Sequence, residues 1–505
     1  MFSQVTIVSI LLILQLIAIT GSLLRISEYF VYFNIVLRII SALTVIAIIN
    51  RHSNPSYKLA WVIPILIFPL FGGLFYLFIT GQMHTKYYFY KLLKAQKDIN
   101  GQYKQPEDVI SEIENCFPER KNTVSFINNV SGMNAYRCKD AHYFAVGEEM
   151  KESLLAELLK AEKYIFLEFF IVKEGVFWDS ILEILKKKAA EGVDVRVMYD
   201  GMGSLAPLPF KYPKILESFG IKCRVFSPFT PFLSALQNNR DHRKIAVIDG
   251  KVAFTGGINL SDEYINVNYP QGHWKDMAVK VTGEAAFSFT RMFLHLWWHN
   301  SRTHENIKDF EPHFSKEESV SENDGFVMPF YDIPQDKYQV GEFIYLDIIN
   351  KAQKYIYITT PYLILDHEMT VALKNAAYSG VDVKILCPKI ADHWYARAVA
   401  YSYYKELTEA GIKLYEYTPG FIHGKTFVSD DSVAVVGSIN LDYRSLYLHF
   451  ECASWFLGSK ICSDVKEDFE KTLPKCELIT IEYCDKMHPL RKLLNAILRL
   501  FAPLM

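Results

Sequence analysis

An internal duplication is the feature that most constrains how this chain can fold. The stretch KAEKYIFLEFFI, which begins at Lys160, reappears as KAQKYIYITTPY at Lys351. EGVDVRVMYD then reappears as SGVDVKILCP, and FGIKCRV reappears as AGIKLYE, in the same order. The copies are about 180–190 residues apart, which is longer than the unit of a solenoid repeat and indicates a duplicated domain.

Each copy alternates helical and β-forming segments. SLLAELLKAEK leads into YIFLEFFIV, and WDSILEILKKKAAEG leads into VDVRVMYD. Gly192 and Gly380 fall where a helix would be capped before the next strand. Strands that alternate with helices at this spacing predict α/β domains, with sheets whose faces are covered by helices.

Three apolar runs occupy the first 80 residues, at 5–24, 33–49 and 60–80. Runs of this length predict transmembrane helices, and we expect residues 1–82 to form an anchor of two or three spans. No basic residue precedes the first run, which argues against a cleaved signal peptide. Lysines are frequent after the third run, so the rest of the chain is predicted to face the cytoplasm from a multi-pass anchor in the cell membrane.

The remaining boundaries follow from composition and from the repeat. They are a basic, membrane-proximal linker at 83–130, a first domain at 131–313, an acidic linker at 314–330, a second domain at 331–485 and an amphipathic helix at 486–505. The last segment places leucines on one helical face and basic or polar residues on another. Such a helix either lies in a membrane interface or docks on the protein, and the pattern fits both.

Two short β-forming stretches carry the same polar trio. The trios are His242, Lys244 and Asp249 in the first copy and His423, Lys425 and Asp430 in the second. Because residues two apart in a strand share a face, each imidazole lies beside an ammonium group, which is costly to bury without an anion between them. A phosphate suits both groups, since histidine can attack phosphorus or protonate a leaving oxygen. We expect the aspartates to hold the imidazoles in the right tautomer.

A small-residue pair and an asparagine follow each trio at the same distance, as GGIN and GSIN. Small residues allow the backbone to approach a ligand closely. An asparagine amide can donate a hydrogen bond to a phosphate oxygen. The predicted substrate-binding residues are Asn259, Asn440 and Ser438.

These stretches resemble the paired HKD motifs of the phospholipase D superfamily, and the whole chain resembles its bacterial cardiolipin synthase branch. The resemblance implies duplicated phospholipase D-type sandwich domains whose trios line one site, with His242 as nucleophile and His423 as general acid and base. It also implies that the lysines and asparagines hold the phosphoryl oxygens, that no metal or other cofactor is needed, and that phosphatidylglycerol in the membrane is the substrate. Two molecules of phosphatidylglycerol would give cardiolipin and glycerol.

Two further acidic residues, Asp276 and Glu451, stand at positions that match the family. Either they orient the histidines or they form structural ion pairs. His449, which lies near the second of them, is interpreted as a structural histidine.

Composition narrows the alternatives. The net charge of −2 and the pI of about 6.7 give no sign of a basic stripe, so no nucleic-acid partner is expected. The eight cysteines include no CxxC pair and predict neither a zinc site nor a disulfide framework. A phospholipase D that uses water, or a transferase that uses another alcohol, remains an alternative, as does a catalytically inactive membrane scaffold. The sequence does not predict the oligomeric state.

Overall fold

Two β-sheets, one from each copy of the duplicated unit, form the core of the protein. The computed structural model describes residues 20, 28–52, 54–80, 83–229, 235–299, 305–314, 324–334 and 338–504. The α-helices in this part are α1 Glu28–Ile49, α2 Pro55–Ile67, α3 Pro69–Thr80, α4 Met83–Asn100, α5 Glu107–Cys116, α6 Lys121–Ser131, α7 Gly147–Lys160, α8 Val176–Ala190, α9 Tyr212–Ser218, α10 Glu284–His299, α11 Val340–Lys351, α12 His367–Tyr378, α13 Trp394–Glu409, α14 Tyr443–Tyr447, α15 Lys460–Thr472, α16 Ile481–Asp485 and α17 Pro489–Arg499. The strands are β1 Tyr136–Arg137, β2 His142–Phe144, β3 Tyr164–Phe169, β4 Asp194–Asp200, β5 Lys222–Phe226, β6 Ile245–Ile248, β7 Val252–Gly256, β8 His273–Lys275, β9 Ala278–Thr282, β10 Phe326–Asp332, β11 Tyr355–Thr359, β12 Asp382–Pro388, β13 Lys413–Tyr417, β14 Gly420–Ile422, β15 Thr426–Ser429, β16 Val433–Gly437, β17 Glu451–Leu457 and β18 Cys476–Leu478.

The two sheets have the same strand order. The first is β2-β9-β7-β6-β3-β4-β5, and the second is β10-β17-β16-β15-β11-β12-β13, with β1 and β18 added at its edges. In each sheet three neighbouring strands are parallel, β3-β4-β5 in the first and β11-β12-β13 in the second. The two strands that follow in each sheet form an antiparallel hairpin, β6-β7 or β15-β16. The predicted duplicated α/β architecture is therefore confirmed.

Helices cover the outer face of each sheet, while the inner faces meet in the middle of the molecule, with α10 and α15 packed beside that contact. α7 and α8 pack on the first sheet through fully buried side chains such as Leu154 of α7 and Trp178 of α8. Strands β7 and β9 contact β16 and β17 across the middle of the molecule, where Val279 and Val436 belong to one apolar cluster. Burial of such side chains contributes about 1.5–3 kcal/mol each, so the contact between the sheets holds the two halves together.

Two predicted boundaries differ from the structure. Residues 83–130, predicted as a linker, form α4, α5 and most of α6, and Phe89 and Leu92 are buried against α10. Strand β10 begins at Phe326, inside the predicted linker 314–330, and pairs along its whole length with β17 of the second sheet. Residues 315–323 of that linker lie outside the described residues.

The predicted membrane anchor is only partly within the described residues. The first apolar run, 5–24, lies outside them except for residue 20. Among the helices that the structure describes, none combines the length and apolarity needed to cross a membrane. The run 60–80, predicted as one span, is divided into α2 and α3 because a proline disfavours the helical conformation of the residue before it, here Phe68, with φ −124° and ψ 74°. The chain turns back so sharply that a Cβ on Gly72 would lie 2.7 Å from the Cα of Ile65.

A buried histidine in α10 makes the stability of the fold depend on pH. His295 Nε2 donates to the carbonyl of Leu92 over 2.8 Å, and burial lowers the pKa of His295 from 6.5 to about 3. The folded protein therefore binds fewer protons than the unfolded chain below pH 6.5, so the free energy of unfolding decreases as the pH falls from 6.5 toward 3.

Replacing His295 by Gln keeps an N–H donor and removes the titration. We expect the loss of unfolding free energy between pH 7 and pH 5 to be about 2 kcal/mol smaller in the variant. The free energy of unfolding is measured by denaturant titration at both pH values. If it fell by the same amount in the variant and in the unmodified protein, His295 would not be the group responsible.

Candidate active site

Both trio histidines lie on the seam between the two halves, and each is held there by backbone of the opposite half. The His242 amide donates to the carbonyl of Phe450 over 2.9 Å, and the His423 amide donates to the carbonyl of Lys275 over 2.7 Å. Strand β14, which leads into His423, also pairs in parallel with β8 of the first half. The geometry of each histidine thus depends on the assembly of both copies.

Each imidazole is oriented by a carboxylate from the other copy. His242 Nδ1 lies 2.9 and 3.1 Å from the two carboxylate oxygens of Glu451, and His423 Nδ1 lies 2.6 Å from Asp276 Oδ2. Both carboxylates are fully buried. Donation from Nδ1 leaves the lone pair of Nε2 available in the neutral ring, which is the tautomer a nucleophile or a base requires. Of the two interpretations of Asp276 and Glu451, the structure supports orientation of the histidines.

The trio aspartates do something else, and the prediction that they hold the imidazoles is wrong. Asp249 accepts backbone N–H groups of residues 162–164, each over 2.8 Å. Asp430 does the same for residues 353–355, over 2.7–3.0 Å. Both aspartates have left-handed backbone, with φ of 51° and 54°, at the turn after their strands. The turn directs each carboxylate to the start of the neighbouring strand, so these residues fix the position of β3 and β11.

The two lysines supply positive charge close to both histidines. Lys244 and Lys425 are each 1% exposed, and each ammonium group donates to the carbonyl of the histidine two residues earlier. Burial lowers the pKa of Lys244 to about 8 and that of Lys425 to about 7, while Glu451 and Asp276 act in the opposite direction. The charges of the two lysines and the two carboxylates nearly balance, and a bound phosphodiester anion would favour the charged form of both lysines.

The histidines themselves are neutral at neutral pH. Burial, followed by the charge of Lys244, lowers the pKa of His242 well below 6.5. Burial and Lys425 lower the pKa of His423 to about 4, against the opposing effect of Asp276. A neutral imidazole can attack phosphorus, and a bound phosphate anion would raise the pKa of the other ring toward the range of a general acid.

The predicted substrate-binding residues are largely engaged with the protein. Ser438 Oγ donates to Glu451 Oε2 over 2.5 Å and accepts the N–H of Cys452 over 3.0 Å. Asn259 accepts the N–H of Ile171 over 3.1 Å and donates to the hydroxyl of Tyr264 over 2.7 Å. Ser438 is therefore placed to orient Glu451, and Asn259 to hold the loop beside the site.

Asn440 and the first small-residue pair differ from these. The buried Oδ1 of Asn440 has no hydrogen-bond partner among the described residues. Gly257 occupies the position that corresponds to Ser438, and a Cβ there would lie 2.1 Å from Asp276 Oδ1. The first copy thus needs glycine, because the Asp276 carboxylate that orients His423 occupies the space that a side chain at position 257 would fill.

Ser438 offers a test of the carboxylate's orientation. A hydrogen bond to a charged group contributes about 1.5–3 kcal/mol, so we expect Ser438→Ala to lower kcat by about 10-fold or more and to leave KM unchanged. Ser454 is a matched control, because it lies on β17 near Glu451, is fully buried, and its Oγ has no partner in the described part of the chain. If Ser454→Ala lowered kcat as much as Ser438→Ala, the effect would be one of packing.

His449 belongs to the site, although from the sequence it was expected to be a structural histidine. It is 8% exposed, its ring centroid lies 5.4 Å from that of His242, and its Nδ1 lies 3.7 Å from Glu451 Oε1. Neither ring nitrogen has a hydrogen-bond partner among the described residues. The signal that could have found it is its spacing, since it stands two residues before Glu451, as Trp274 stands two before Asp276.

Known proteins share both the domains and the fold of this chain. A family model described as "Cardiolipin synthase, PLD-like domain" matches residues 154–297 and 345–473, and one described as "Phospholipase D-nuclease N-terminal" matches residues 39–79. The crystal structure of a phosphatidylserine synthase from Haemophilus influenzae has a TM-score of 0.57 at 14% identity and covers 77% of this chain and 100% of its own. That likeness shows the shared fold.

Sequence relatives define the family more narrowly. A protein of Streptococcus mutans, described as uncharacterized, is 43% identical over 92% of this chain and 99% of its own. A cardiolipin synthase from Geobacillus thermodenitrificans is 32% identical over 91% of both chains, and one from Alkalihalophilus pseudofirmus is 33% identical over 90% of both. This chain belongs to the cardiolipin synthase family of the phospholipase D superfamily.

Proposed function

We propose that this protein is a cardiolipin synthase that transfers a phosphatidyl group from one phosphatidylglycerol to another. The observation that carries the proposal is the pair of buried histidines, each hydrogen-bonded through Nδ1 to a carboxylate of the opposite half. Two such imidazoles on either side of one phosphorus provide a nucleophile and a general acid. The family membership of the chain supports phosphatidylglycerol as the substrate.

In the first step, the lone pair of His242 Nε2 attacks the phosphorus of one phosphatidylglycerol. His423 takes up a proton at Nε2 when the phosphodiester anion binds, because the anion raises the pKa of the ring. The bond from phosphorus to the headgroup oxygen breaks, and His423 gives that proton to the oxygen, so that free glycerol leaves. The product on the enzyme is a phosphatidyl-histidine at His242. Lys244 and Lys425 stabilise the charge on the phosphoryl oxygens as the geometry changes.

In the second step, a hydroxyl of another phosphatidylglycerol gives its proton to His423. Its oxygen attacks the phosphorus, the bond from phosphorus to His242 breaks, and cardiolipin forms. His423 then carries the proton it donated at the start, and both rings have returned to their initial state. The net reaction converts two phosphatidylglycerols into cardiolipin and glycerol.

The surroundings of the histidines favour an alcohol over water as acceptor. His423 lies among aromatic rings, with Tyr264, Trp274 and Phe421 at 5.5–5.7 Å between ring centroids. Phe170 lies 5.1 Å from His242. Apolar walls exclude water and strengthen the electrostatic interactions inside the site. We propose on the same grounds that the enzyme works at the cell membrane, where its lipid substrates are held.

A lipid product assay tests this function. The full chain, purified in detergent, is incubated with phosphatidylglycerol alone, and the lipids are resolved by mass. Cardiolipin with equimolar glycerol supports the proposal. Phosphatidic acid as the only product would instead identify a phospholipase D, and turnover only after another alcohol is added would identify a different transferase.

Metal removal is expected to leave the reaction unchanged. His242, His449 and Glu451 offer ligand atoms within 4.8 Å of one another. The neighbouring ammonium groups of Lys244 and Lys425 would repel a divalent cation there and already supply the positive charge that phosphoryl transfer needs. The initial rate should therefore be the same before and after dialysis against EDTA. If activity were lost and Zn²⁺ or Mg²⁺ restored it, the two lysines would not be sufficient to supply the positive charge.

A further inference from the structure

The C-terminal helix α17 is docked on the protein with its apolar side facing outward. Its polar Asn495 is only 2% exposed, and the Asn495 amide donates to the sulfur of Met487 over 3.4 Å. Arg499 also faces the protein, where its guanidinium donates to the carbonyl of Ser402 over 3.4 Å and lies 4.0 Å from the ring centroid of Tyr403. A helix that packs on a water-exposed domain normally presents its apolar side to the core.

The outward side of this helix and of the turn after it consists of large apolar residues. Their exposed fractions lie between 46% and 70%. We call this set the C-terminal apolar face, and it comprises Leu490, Leu493, Leu494, Ile497, Leu500, Phe501 and Leu504. A contiguous apolar patch of this kind marks a surface that meets a partner or a membrane.

The C-terminal apolar face continues onto the N-terminal helix α2. The 3₁₀ turn at Ala502–Leu504 packs against α2, and α2 exposes Leu59 and Leu66 at 58% and 64%. The cavity between the two elements, of about 320 Å³, is lined by side chains from both. The apolar surface is thus built from α2 as well as from the C-terminal segment.

The same surface is joined to the active site through α14. Ring centroids of Tyr57 on α2 lie 5.8 and 5.7 Å from those of Tyr443 and Tyr447 on α14. The His449 amide donates to the carbonyl of Arg444 on α14 over 2.8 Å. One short helix therefore separates the outward apolar surface from the histidine beside His242.

We propose that the C-terminal apolar face, together with the exposed leucines of α2, inserts into the outer part of a lipid bilayer and holds the active site next to it. The occupant is a membrane because the exposed Arg491 and Lys492 flank the leucines, as basic residues flank helices that lie in an anionic interface. This inference rests on the proposed function at one point, which is that the enzyme would take its lipid substrate from the membrane beside this surface.

Depth measurements test the insertion without depending on catalysis. Cys116 is the exposed cysteine among the eight and is replaced by Ser. An environment-sensitive fluorophore is then attached at Leu493→Cys, or at Glu183→Cys on the outer side of α8, where the side chain is 72% exposed. The full chain is reconstituted into vesicles of phosphatidylglycerol and phosphatidylcholine that carry nitroxide-labelled lipid.

We expect the label at position 493 to be blue-shifted and quenched by the lipid nitroxide, and the label at position 183 to be quenched only by an aqueous reagent. Equal aqueous quenching at both positions would overturn the proposal. So would a shielded label at 493 that self-quenches between copies as protein density rises, because the face would then bind a second copy of this chain.

A functional arm separates this proposal from the proposed reaction. The double variant Leu493→Glu, Ile497→Glu should lose about 10-fold or more in rate on phosphatidylglycerol vesicles, since charges on this face oppose insertion. Its rate on monomeric short-chain phosphatidylglycerol should equal that of the unmodified protein. Equal losses on both substrates would indicate misfolding and contradict a role limited to the membrane. If no substrate is turned over by any form, the proposed function fails while the depth result still stands.

Discussion

Replacing Glu451 by Gln, or Asp276 by Asn, is expected to lower kcat by about 10³- to 10⁴-fold with little change in stability. The amide keeps the shape of the carboxylate but loses its charge, and its NH₂ group can face the histidine and impose the wrong tautomer. The corresponding Asp-to-Asn change in a serine protease triad costs about 10⁴-fold for this reason. The measurement is the initial rate of cardiolipin formation at saturating phosphatidylglycerol, with thermal unfolding recorded for each variant.

Asp430→Asn and Asp249→Asn are the matched controls. Each of these carboxylates accepts three backbone N–H groups outside the site, so the amides weaken the fold rather than the chemistry. We expect a lower unfolding temperature and a kcat within about 10-fold of the unmodified protein for the folded fraction. Should the trio aspartates prove as costly to kcat as Glu451 and Asp276, the orientation derived from the structure would be incorrect.

The sequence predicts the strands and the paired trios well because both are local patterns. The H-x-K spacing places His242 and Lys244 on one face of the chain, and the structure buries both side chains at the seam. The partner of each imidazole could not be derived from spacing alone, because Glu451 lies 209 residues from His242 in sequence. Asp249 is near His242 in sequence, yet the turn after β6 directs its carboxylate away from the ring.

In the N-terminal region, too, the sequence pattern predicts less than the structure shows. A window of hydropathy over 60–80 predicts one span, because it averages over the residues and ignores where the backbone must break. Pro69 has no N–H group and disfavours helix at Phe68, so the run becomes α2 and α3. The pattern of α17 likewise predicted an amphipathic helix, while only the docked structure shows that its apolar side faces outward.

His242→Ala and His423→Ala should each reduce cardiolipin synthesis by about 10⁴-fold or more, since each removes a group that the other cannot replace. The two variants should nevertheless differ on a phosphatidyl ester whose leaving group departs without a proton. His423→Ala keeps the nucleophile, so it should release one equivalent of that leaving group in a burst and gain the mass of a phosphatidyl group. His242→Ala should show neither.

Comparing the two alanine variants identifies which histidine is the nucleophile. The structure alone does not distinguish them, because the two halves are nearly symmetric. Both rings are buried, both donate through Nδ1 to a carboxylate, and both have a lowered pKa. A burst and a mass shift in His242→Ala instead of His423→Ala would make His423 the nucleophile. The absence of both signals in both variants, with product still formed by the unmodified protein, would exclude a covalent histidine intermediate and require direct attack of the acceptor on phosphorus.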